Sequence, residues 1–465
     1  MVWVLRLGAL LGELDLAALT SRYQTTGRKA FHPRTLLGLI VYGILNRQWS
    51  LRELEMLARR DVGAWWLCGG HQPDHSTIGK FIVLHAEVLT EEFFVQLVKH
   101  LVALLKLGPA LTAGDGTMID AAANRFRVLR AEAAAQAAQE AREAAAAAPD
   151  DAQLKRKAEL ASVAAQLGAE RLARRRAHKG DAAEIRVSLV EPEAVNQRGK
   201  DRTPRVAYKP VVLANAHCFI VGQRVEPSSE VAAIEPAVEQ HRAIFGCVPP
   251  TLLLDGGFAS NSLWGKLAGQ GVDVLCPSGR TDDVDGDRQK LSSRPGKFTK
   301  REFRYDRARD VYHCPAGREL TFAYQERDAL GRGYREYWPG RQCTDCPLRS
   351  RCTNSVRGRS LKRYEGEEFR EWMAELLDHP LARARYWRRQ AIVEPCFAEL
   401  RERQGLKRFH RRGLEAVRAE FALHCIAFNL KRAVGDSFLL VIFVLMRCYT
   451  DRRRQAPFLA VRCTA

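Results

Sequence analysis

The middle of the chain alternates apolar, strand-like segments with amphipathic helical ones, and this alternation restricts the fold more than any other feature. The predicted strands are 184–190, 206–215, 217–225, 251–254 and 272–276, and the predicted helices between the later strands are 231–244 and 261–270. Strand–helix–strand alternation after antiparallel strands indicates a mixed sheet covered by helices. We therefore expect an α/β protein with a mixed sheet and flanking helices.

Two acidic residues occupy unusual positions in these strands. Asp115 lies inside the strand predicted over 111–119, between two glycines, and Asp255 directly follows the wholly apolar strand 251–254. An ionised carboxylate in a buried strand is costly unless a partner stabilises it. The carboxyl end of a strand is also where α/β sheets place ligands. Both acids are therefore candidate functional residues.

A third acid, Glu394, precedes a proline in the helix predicted over 380–403. Because proline disfavours helical geometry in the residue before it, we expect Glu394 to cap the helix or to lie at a kink. Three carboxylates at one point repel each other, and a hard divalent cation such as Mg²⁺, which takes oxygen ligands, relieves this repulsion. Two such ions can stabilise the attacking and leaving oxygens of an in-line phosphoryl displacement.

The charge of the chain points to a polyanionic partner. Lys and Arg number 73 against 54 Asp and Glu, a net charge of +19, and more than half of the excess lies in residues 381–465. A basic run brackets Glu394 and predicts a surface that follows DNA phosphates. Its members are Arg383, Arg385, Arg388, Arg389, Arg401, Arg403, Lys407, Arg408, Arg411 and Arg412, interleaved with Tyr386, Trp387, Phe409 and His410.

Four of the twelve cysteines have an informative spacing: Cys314, Cys343, Cys346 and Cys352. Four thiolates can complete a tetrahedral Zn²⁺ site, which we expect to act as a scaffold. A [4Fe-4S] cluster also takes four cysteines, and reduced thiols in a loop are the third alternative.

Two further segments are predicted to be helical. Residues 32–105 carry short helices with tight turns, including a capping box of Ser50 with Glu53 and a helix start at Ser76. We expect a helical bundle there, with direct contact to DNA bases as the alternative. Residues 131–176 are rich in alanine and predict two long helices that form a hairpin broken at 149–151.

Several local motifs resemble insertion-sequence transposases of the DDE superfamily, over about residues 20–433. The motifs are 73–77 (PDHST), 115–117 (DGT), 254–258 (LDGGF), the set Tyr386, Arg389, Val393, Glu394, Pro395 and Phe397, and 429–432 (NLKR). The resemblance implies a ribonuclease-H-like catalytic core with an InsH-like helical N-terminal domain. It implies that Asp115, Asp255 and Glu394 bind Mg²⁺ or Mn²⁺, and that Tyr386, Arg389 and Arg401 contact the DNA end.

The sequence departs from the family pattern at three places. Arg401 stands where many relatives have a lysine seven residues after the glutamate, which keeps the charge but changes the geometry of phosphate contact. Phe258 stands where tyrosine is usual, so a hydroxyl is missing. Four residues separate Arg389 from Glu394, where the related signature often has three.

The resemblance and the motifs give a domain division and a function. We expect a helical N-terminal domain over 1–108, a catalytic domain over 109–433 and a tail over 434–465 without an assigned role. The catalytic domain would carry the helical arm at 130–180 and the cysteine insertion at 278–366. The expected function is a DNA transposase that cuts a strand at an insertion-sequence end and joins the freed 3′ hydroxyl to target DNA.

The expected partners are the terminal inverted repeats, target DNA and a second copy of the chain, because two ends must be joined in one complex. A metal-dependent nuclease without strand transfer, and a non-catalytic DNA-binding protein derived from a decayed transposase, are the alternatives.

The sequence contains no convincing targeting segment. Residues 1–12 hold one arginine in a short apolar stretch, without a basic leader or a small-residue cleavage site. The longest uncharged apolar run near the C-terminus, 438–446, has nine residues, whereas a membrane-spanning helix needs about 20. We therefore expect a cytoplasmic, nucleoid-associated protein with no membrane partner.

Overall fold

The computed structural model describes residues 2–23, 30–124, 126–177, 185–199, 203–277, 297–328 and 331–436. These residues form two compact units. Unit one takes its described residues from 1–168, 186–250 and 389 onward, and unit two takes them from 169–185 and 251–388. The part of the predicted tail beyond Asp436 lies outside the described residues.

The described residues form a mixed α/β structure. The helices are α1 (Val2–Glu13), α2 (Ala17–Thr20), α3 (Pro33–Leu45), α4 (Leu51–Arg60), α5 (Val62–Leu67), α6 (His75–Leu84), α7 (Ala86–Thr90), α8 (Glu92–Leu105), α9 (Ala131–Ala147), α10 (Ala152–Ala177), α11 (Glu230–Phe245), α12 (Asn261–Gly269), α13 (Arg349–Cys352), α14 (Glu367–Asp378), α15 (Pro380–Ala398) and α16 (Leu414–Asp436). The strands are β1 (Thr112–Gly116), β2 (Ile119–Asp120), β3 (Val128–Arg130), β4 (Arg186–Ser188), β5 (Val195–Arg198), β6 (Pro204–Asn215), β7 (Ile220–Glu226), β8 (Thr251–Leu253), β9 (Asp273–Leu275), β10 (Arg304–Asp306), β11 (Val311–His313), β12 (Glu319–Arg327), β13 (Gly333–Trp338) and β14 (Leu361–Tyr364).

Strand β6 organises the sheet of unit one. It pairs antiparallel with β1, β2, β5 and β7, and its register places Asp115 opposite Val212. From Val206 to Asn215, β6 is almost continuously buried, which explains its long apolar run. The sheet therefore holds the end of β1, and with it Asp115, in a defined position.

Helix α16 forms the centre of the helical part of unit one. It packs against α3, α7, α8 and β7. Val417, Phe421, Cys425 and Phe428, which follow one another along one face of the helix, are buried, and so are most of the residues between them. A helix that is buried on all its faces is a core element, and α16 therefore connects the N-terminal helices to the sheet.

Unit two contains two strand systems. Strands β8 and β9 pair in parallel, as expected for strands that a helix connects. Strands β10 to β14 form an antiparallel sheet in sequence order. The sequence had predicted no strands in this insertion, because the segment is rich in Gly, Arg and Asp and seven of the nine residues of β12 are exposed.

The helical predictions are confirmed with two exceptions. The arm forms α9 and α10, which pack through Ala138, Ala141, Ala158 and Ala161. Ser50 and Glu53 form the predicted capping box of α4. The predicted start at Ser76 is wrong: Asp74 caps α6 by accepting a hydrogen bond from the Thr77 amide, and Ser76 lies inside the helix.

The second exception is Glu394. The cap expected there is wrong, because α15 continues as a helix through Pro395 to Ala398 and is followed by a π-helical turn over Glu399–Arg403. The alternative, a kink at Glu394, stays a prediction. Among the described residues, no helix is long and apolar enough to cross a membrane.

Candidate active site

Asp115 lies at the carboxyl end of β1 and is partly enclosed. Its Oδ1 accepts a hydrogen bond from the Gly116 amide at 2.9 Å. Its Oδ2 lies 3.5 Å from Nη1 of Arg389, and the side chains are 23% and 11% exposed respectively. The carboxylate that the sequence placed inside a strand is therefore stabilised by a cation from α15, as its burial requires.

Gly116 has a structural reason to be glycine. A Cβ added there would lie 2.8 Å from Cδ of Glu230, the first residue of α11. Glu230 in turn pairs with Lys209 of β6 at 3.5 Å. The Asp-Gly step therefore lets α11 pack directly against the end of β1.

A second arginine holds the residues that follow Asp115. Nη1 of Arg401 donates to Oγ1 of Thr117 at 3.0 Å. Arg389 and Arg401 belong to the continuous helical stretch of α15 and its π-helical turn. This stretch therefore contacts the end of β1 at two points, Asp115 and Thr117.

Glu394 lies between these two arginines in sequence. Its side chain is exposed, and no hydrogen bond or ion pair engages its carboxylate among the described residues. About two helical turns, or 10 Å, separate it from Arg401. The neighbouring acid Glu399 is buried instead and pairs with Lys431 at 2.5 Å. Glu394 is therefore the carboxylate of this stretch that is open to a ligand.

Asp255 belongs to unit two, where it follows β8. Its Oδ1 accepts a hydrogen bond from the Gly257 amide at 2.8 Å and caps the short 3₁₀ turn Gly256–Phe258. Its backbone oxygen accepts a hydrogen bond from Sγ of Cys276 at 3.1 Å. Phe258, where the resemblance led us to expect a tyrosine, is fully buried.

The DNA-contact residues predicted from the basic run have different environments. Arg388 is exposed, and Tyr386 is half-buried. Lys407 is exposed and pairs with Glu402 at 2.8 Å. Arg408 is bound to the protein itself, because its guanidinium donates to the backbone oxygens of Ala121 and Ala123. These two hydrogen bonds fix the chain after β2. That Arg408, whose side chain is exposed, contacts DNA stays a prediction.

A buried polar network supports the basic loop 404–413 and was missed by the sequence analysis. Glu420 of α16 accepts hydrogen bonds from the amides of His410 and Arg411. Burial raises the pKa of Glu420 to about 7, against the lowering effect of those two amides and of the Arg411 charge. The His410 ring stacks on Trp49 with 3.8 Å between centroids. The only sequence signal was an acid inside the apolar pattern of α16.

The four predicted metal-binding cysteines lie together in unit two. Cys314, Cys343, Cys346 and Cys352 line one small apolar cavity of about 20 Å³. Burial raises the pKa of Cys352, and the proximity of the other three thiols adds to this effect.

The predicted cysteine metal site is not assembled in this structure. Across the described ranges, no group of three or more His, Cys, Asp or Glu side chains is arranged to hold a metal ion. A zinc or iron–sulfur site at the four thiols of unit two is therefore not supported by this geometry.

Two protein families match the sequence. A family described as a transposase DDE domain matches residues 313–434, a range that contains Glu394, Arg401 and the four cysteines. A family described as a transposase domain, DUF772, matches residues 6–83, within the N-terminal helices. Asp115 and Asp255 lie outside both matched ranges. No protein with a curated description matches the chain.

Proposed function

The two family matches support an insertion-sequence DDE transposase, and from this premise we propose that the protein cuts DNA at the ends of an insertion sequence and transfers the cut strand to target DNA. One observation carries the proposal most directly. Arg389 and Arg401 attach the helical stretch that bears Glu394 to the end of β1 that bears Asp115. Two acids that are far apart in sequence thereby belong to elements in direct contact.

Asp115, Asp255 and Glu394 are proposed to hold Mg²⁺ or Mn²⁺. The donor chemistry fits, since three carboxylates supply the hard oxygen ligands that these ions take. Glu394 has an exposed carboxylate without a partner among the described residues, and Asp255 is partly exposed with one oxygen occupied by a backbone amide. When bound, the metal would activate the attacking oxygen and neutralise charge on the scissile phosphate. The role of Asp255 rests on its motif.

The arginines of the site would orient the DNA. Nη1 of Arg389 is buried and lies 3.5 Å from Oδ2 of Asp115, so its charge is fixed beside a proposed metal ligand. This fixed positive charge would attract the phosphate of the DNA end. Arg401 would contribute a second positive charge at Thr117, while Arg388, Tyr386 and Lys407 would contact the DNA backbone from more exposed positions.

The ribonuclease-H-like core and the domain division remain part of the proposal. The antiparallel order β1–β6–β7 in unit one, followed in sequence by α11 and by the parallel pair β8 and β9, supports this assignment. We keep the catalytic domain at 109–433 and the helical N-terminal domain at 1–108. A homodimer on DNA follows from the need to bring two ends together.

A structural Zn²⁺ at the four cysteines also stays a proposal. The proposal is supported by the cavity that the four cysteines share. Among the described residues, their side chains do not adopt a metal-binding arrangement. Metal analysis of the purified protein tests it: about one zinc per chain, lost in Cys346→Ser, is expected. A metal-free protein would reject both zinc and iron, whereas iron with visible absorbance would favour the [4Fe-4S] alternative.

A cleavage assay tests the main proposal. Labelled DNA carrying an insertion-sequence end is incubated with the protein and Mg²⁺, next to Asp115→Asn, Glu394→Gln and the control Glu415→Gln, an exposed acid of α16. We expect cutting and joining that the first two substitutions abolish and the control retains. Cutting without joining would favour a nuclease, and tight binding without cutting would favour a decayed transposase.

A further inference from the structure

A pocket of about 460 Å³ lies among the N-terminal helices of unit one. It is formed by α1, by the first turn of α3 and by the chain from the end of α5 to His71. Pockets that bind small organic groups in proteins measure about 300–1,000 Å³. This pocket is therefore large enough for one nucleotide.

The pocket has apolar lining residues and an aromatic wall. Leu11 and Cys68 are buried members of the lining, and Trp66, which also lines the pocket, is 44% exposed. A Cβ added at Gly8 would lie 2.7 Å from Cζ3 of Trp66. The glycine therefore lets the indole ring lie directly against α1, which restricts its motion. A fixed and partly exposed indole beside apolar side chains is a surface on which a nucleobase can stack.

A positively charged side chain lines the same pocket. Nη2 of Arg34 donates to the backbone oxygen of Gly8, and a Cβ added at Gly12 would lie 3.1 Å from Cζ of Arg34. The guanidinium therefore lies against α1. A guanidinium has five donors, and the bond to Gly8 uses one of them. Because Arg34 is exposed, a phosphate that enters the pocket can reach it and form charge-assisted hydrogen bonds.

Two exposed histidines complete the polar part of the pocket. Nδ1 of His32 accepts a hydrogen bond from the Arg34 amide at 3.2 Å, so the proton of the neutral ring lies on Nε2, which is a donor. The ring of His71 makes an edge contact with Phe31, with 5.6 Å between centroids. Among the described residues, no aspartate or glutamate lines the pocket. The polar groups therefore favour an anionic ligand.

A nucleotide combines the two properties that the pocket selects, a flat ring and a phosphate. The whole pocket lies within residues 6–83, the range matched by the second transposase family. In paired DNA, both faces of a base are covered by its neighbours in the stack, whereas an unpaired base is open to an aromatic side chain. An unpaired nucleotide is therefore the form of DNA that fits here.

We propose that this pocket binds one unpaired nucleotide of the DNA end, with the base stacked on Trp66 and the phosphate bound by Arg34. His32 and His71 contribute hydrogen-bond donors at the rim. The inference rests on the proposed function, because it requires that the protein binds the ends of an insertion sequence.

Binding to two forms of end DNA tests this inference. The dissociation constant is measured by fluorescence anisotropy for fully paired DNA and for DNA with a short single-stranded overhang. We expect Trp66→Ala to bind the overhang DNA at least about fivefold more weakly, and Arg34→Gln about tenfold. Trp66→Phe keeps an aromatic ring and should keep most of the affinity. The loss should disappear on fully paired DNA, which a general loss of structure would not produce.

Matched controls are available close to the pocket. Trp65 is the neighbouring exposed tryptophan of α5, and Arg52 is an exposed arginine of α4; neither lines the pocket. Trp65→Ala and Arg52→Gln should bind both DNAs like the wild type. Melting temperatures show whether each variant is folded.

Photochemical crosslinking tests the contact in the unmodified protein. Overhang DNA carrying 5-iodouracil is irradiated with the wild type, and we expect the crosslinked peptide to contain Trp66 or His71. A crosslink confined to other segments would overturn the inference, and so would pocket variants that bind overhang DNA like the wild type. If a deoxynucleoside monophosphate stabilises the wild type while the variants bind DNA normally, the pocket takes a free nucleotide and the inference is wrong. Wild-type protein that fails to bind either DNA overturns the proposed function as well.

Discussion

Glu420 should make the stability of unit one depend on pH in the neutral range. Its side chain is 4% exposed, and burial raises its pKa from 4.5 to about 7. Between these two pH values the folded protein keeps a proton that the unfolded chain has lost. Folding stability therefore falls as the pH rises from 4.5 to about 7 and is constant above it.

The size of the effect follows from the shift. One pKa unit corresponds to about 1.4 kcal/mol, so the cost of ionising Glu420 reaches about 3 kcal/mol above pH 7. Glu420→Gln removes this cost and keeps most of the side-chain volume. It also weakens one of the two amide hydrogen bonds, which lowers the gain by about 1 kcal/mol at all pH values.

Buried histidines act in the opposite direction and must be separated from this effect. Burial lowers the pKa of His424 to about 3 and that of His241 and His85 to about 4. The folded protein therefore binds fewer protons than the unfolded chain below pH 6.5, and stability falls as the pH drops from there. Wild type and Glu420→Gln share this trend, so the difference between them isolates Glu420.

Urea unfolding followed by tryptophan fluorescence, repeated from pH 5 to 8.5, measures that difference. Glu415→Gln, an exposed acid of the same helix, is the control. We expect the stability of Glu420→Gln relative to wild type to rise by roughly 2–3 kcal/mol between pH 5 and 7.5 and then to level off. A difference that stays constant over this range would show that Glu420 does not ionise there, and the reasoning would be wrong.

Three substitutions test packing, capping and the assignment of one arginine. Gly222→Ala should destabilise the protein by about 1–3 kcal/mol, because the new Cβ would lie 2.4 Å from a backbone oxygen of α11; Gly108→Ala, where no atom lies within 4 Å, is the thermal-melting control. Asp74→Ala should cost about 1 kcal/mol through the lost cap and Ser76→Ala less; equal losses in chemical denaturation would contradict the cap assignment. Arg408→Ala should lower the melting temperature, because its guanidinium donates to two backbone oxygens; an unchanged melting temperature would contradict this role, and a salt dependence of DNA binding whose slope falls by about 0.9 would confirm its predicted contact with a phosphate.

The elements that sequence predicted well are those with strong local signals. The alanine-rich arm has a high helix propensity, the segment 380–403 contains many good helix formers, and Ser50 with Glu53 is a complete capping box. Strands β10, β11 and β14 were missed because they have only three or four residues. Strand β12 was missed because only one of its nine residues is buried, so it shows no alternating pattern. Asp and Ser are both preferred N-cap residues, so the sequence does not show whether Asp74 or Ser76 begins α6. The structure shows that Asp74 is the N-cap.

The candidate site was predictable as residue types but not as contacts. The motifs pointed to Asp115 and Glu394, whereas the ion pair of Asp115 with Arg389 joins residues far apart in sequence and depends on how α15 packs on β1. Arg401 and Lys407 had the same basic signature as Arg408, although only Arg408 is bound to two backbone oxygens. A charge pattern in the sequence predicts whether a surface is positively or negatively charged. It does not predict which of the charged side chains form hydrogen bonds within the protein, because that depends on how the elements pack.

Metal rescue tests the central claim that the three acids ligate the catalytic ion. Asp115→Cys, Asp255→Cys and Glu394→Cys are each assayed for cutting of end DNA with Mg²⁺ and with Mn²⁺. Thiolates are poor ligands for Mg²⁺ and are better tolerated by the softer Mn²⁺. The account predicts three variants that are inactive with Mg²⁺ and regain cutting with Mn²⁺, while Glu415→Cys stays active with both. A variant of the three acids that cuts DNA normally with Mg²⁺ would contradict the assignment of that acid as a metal ligand.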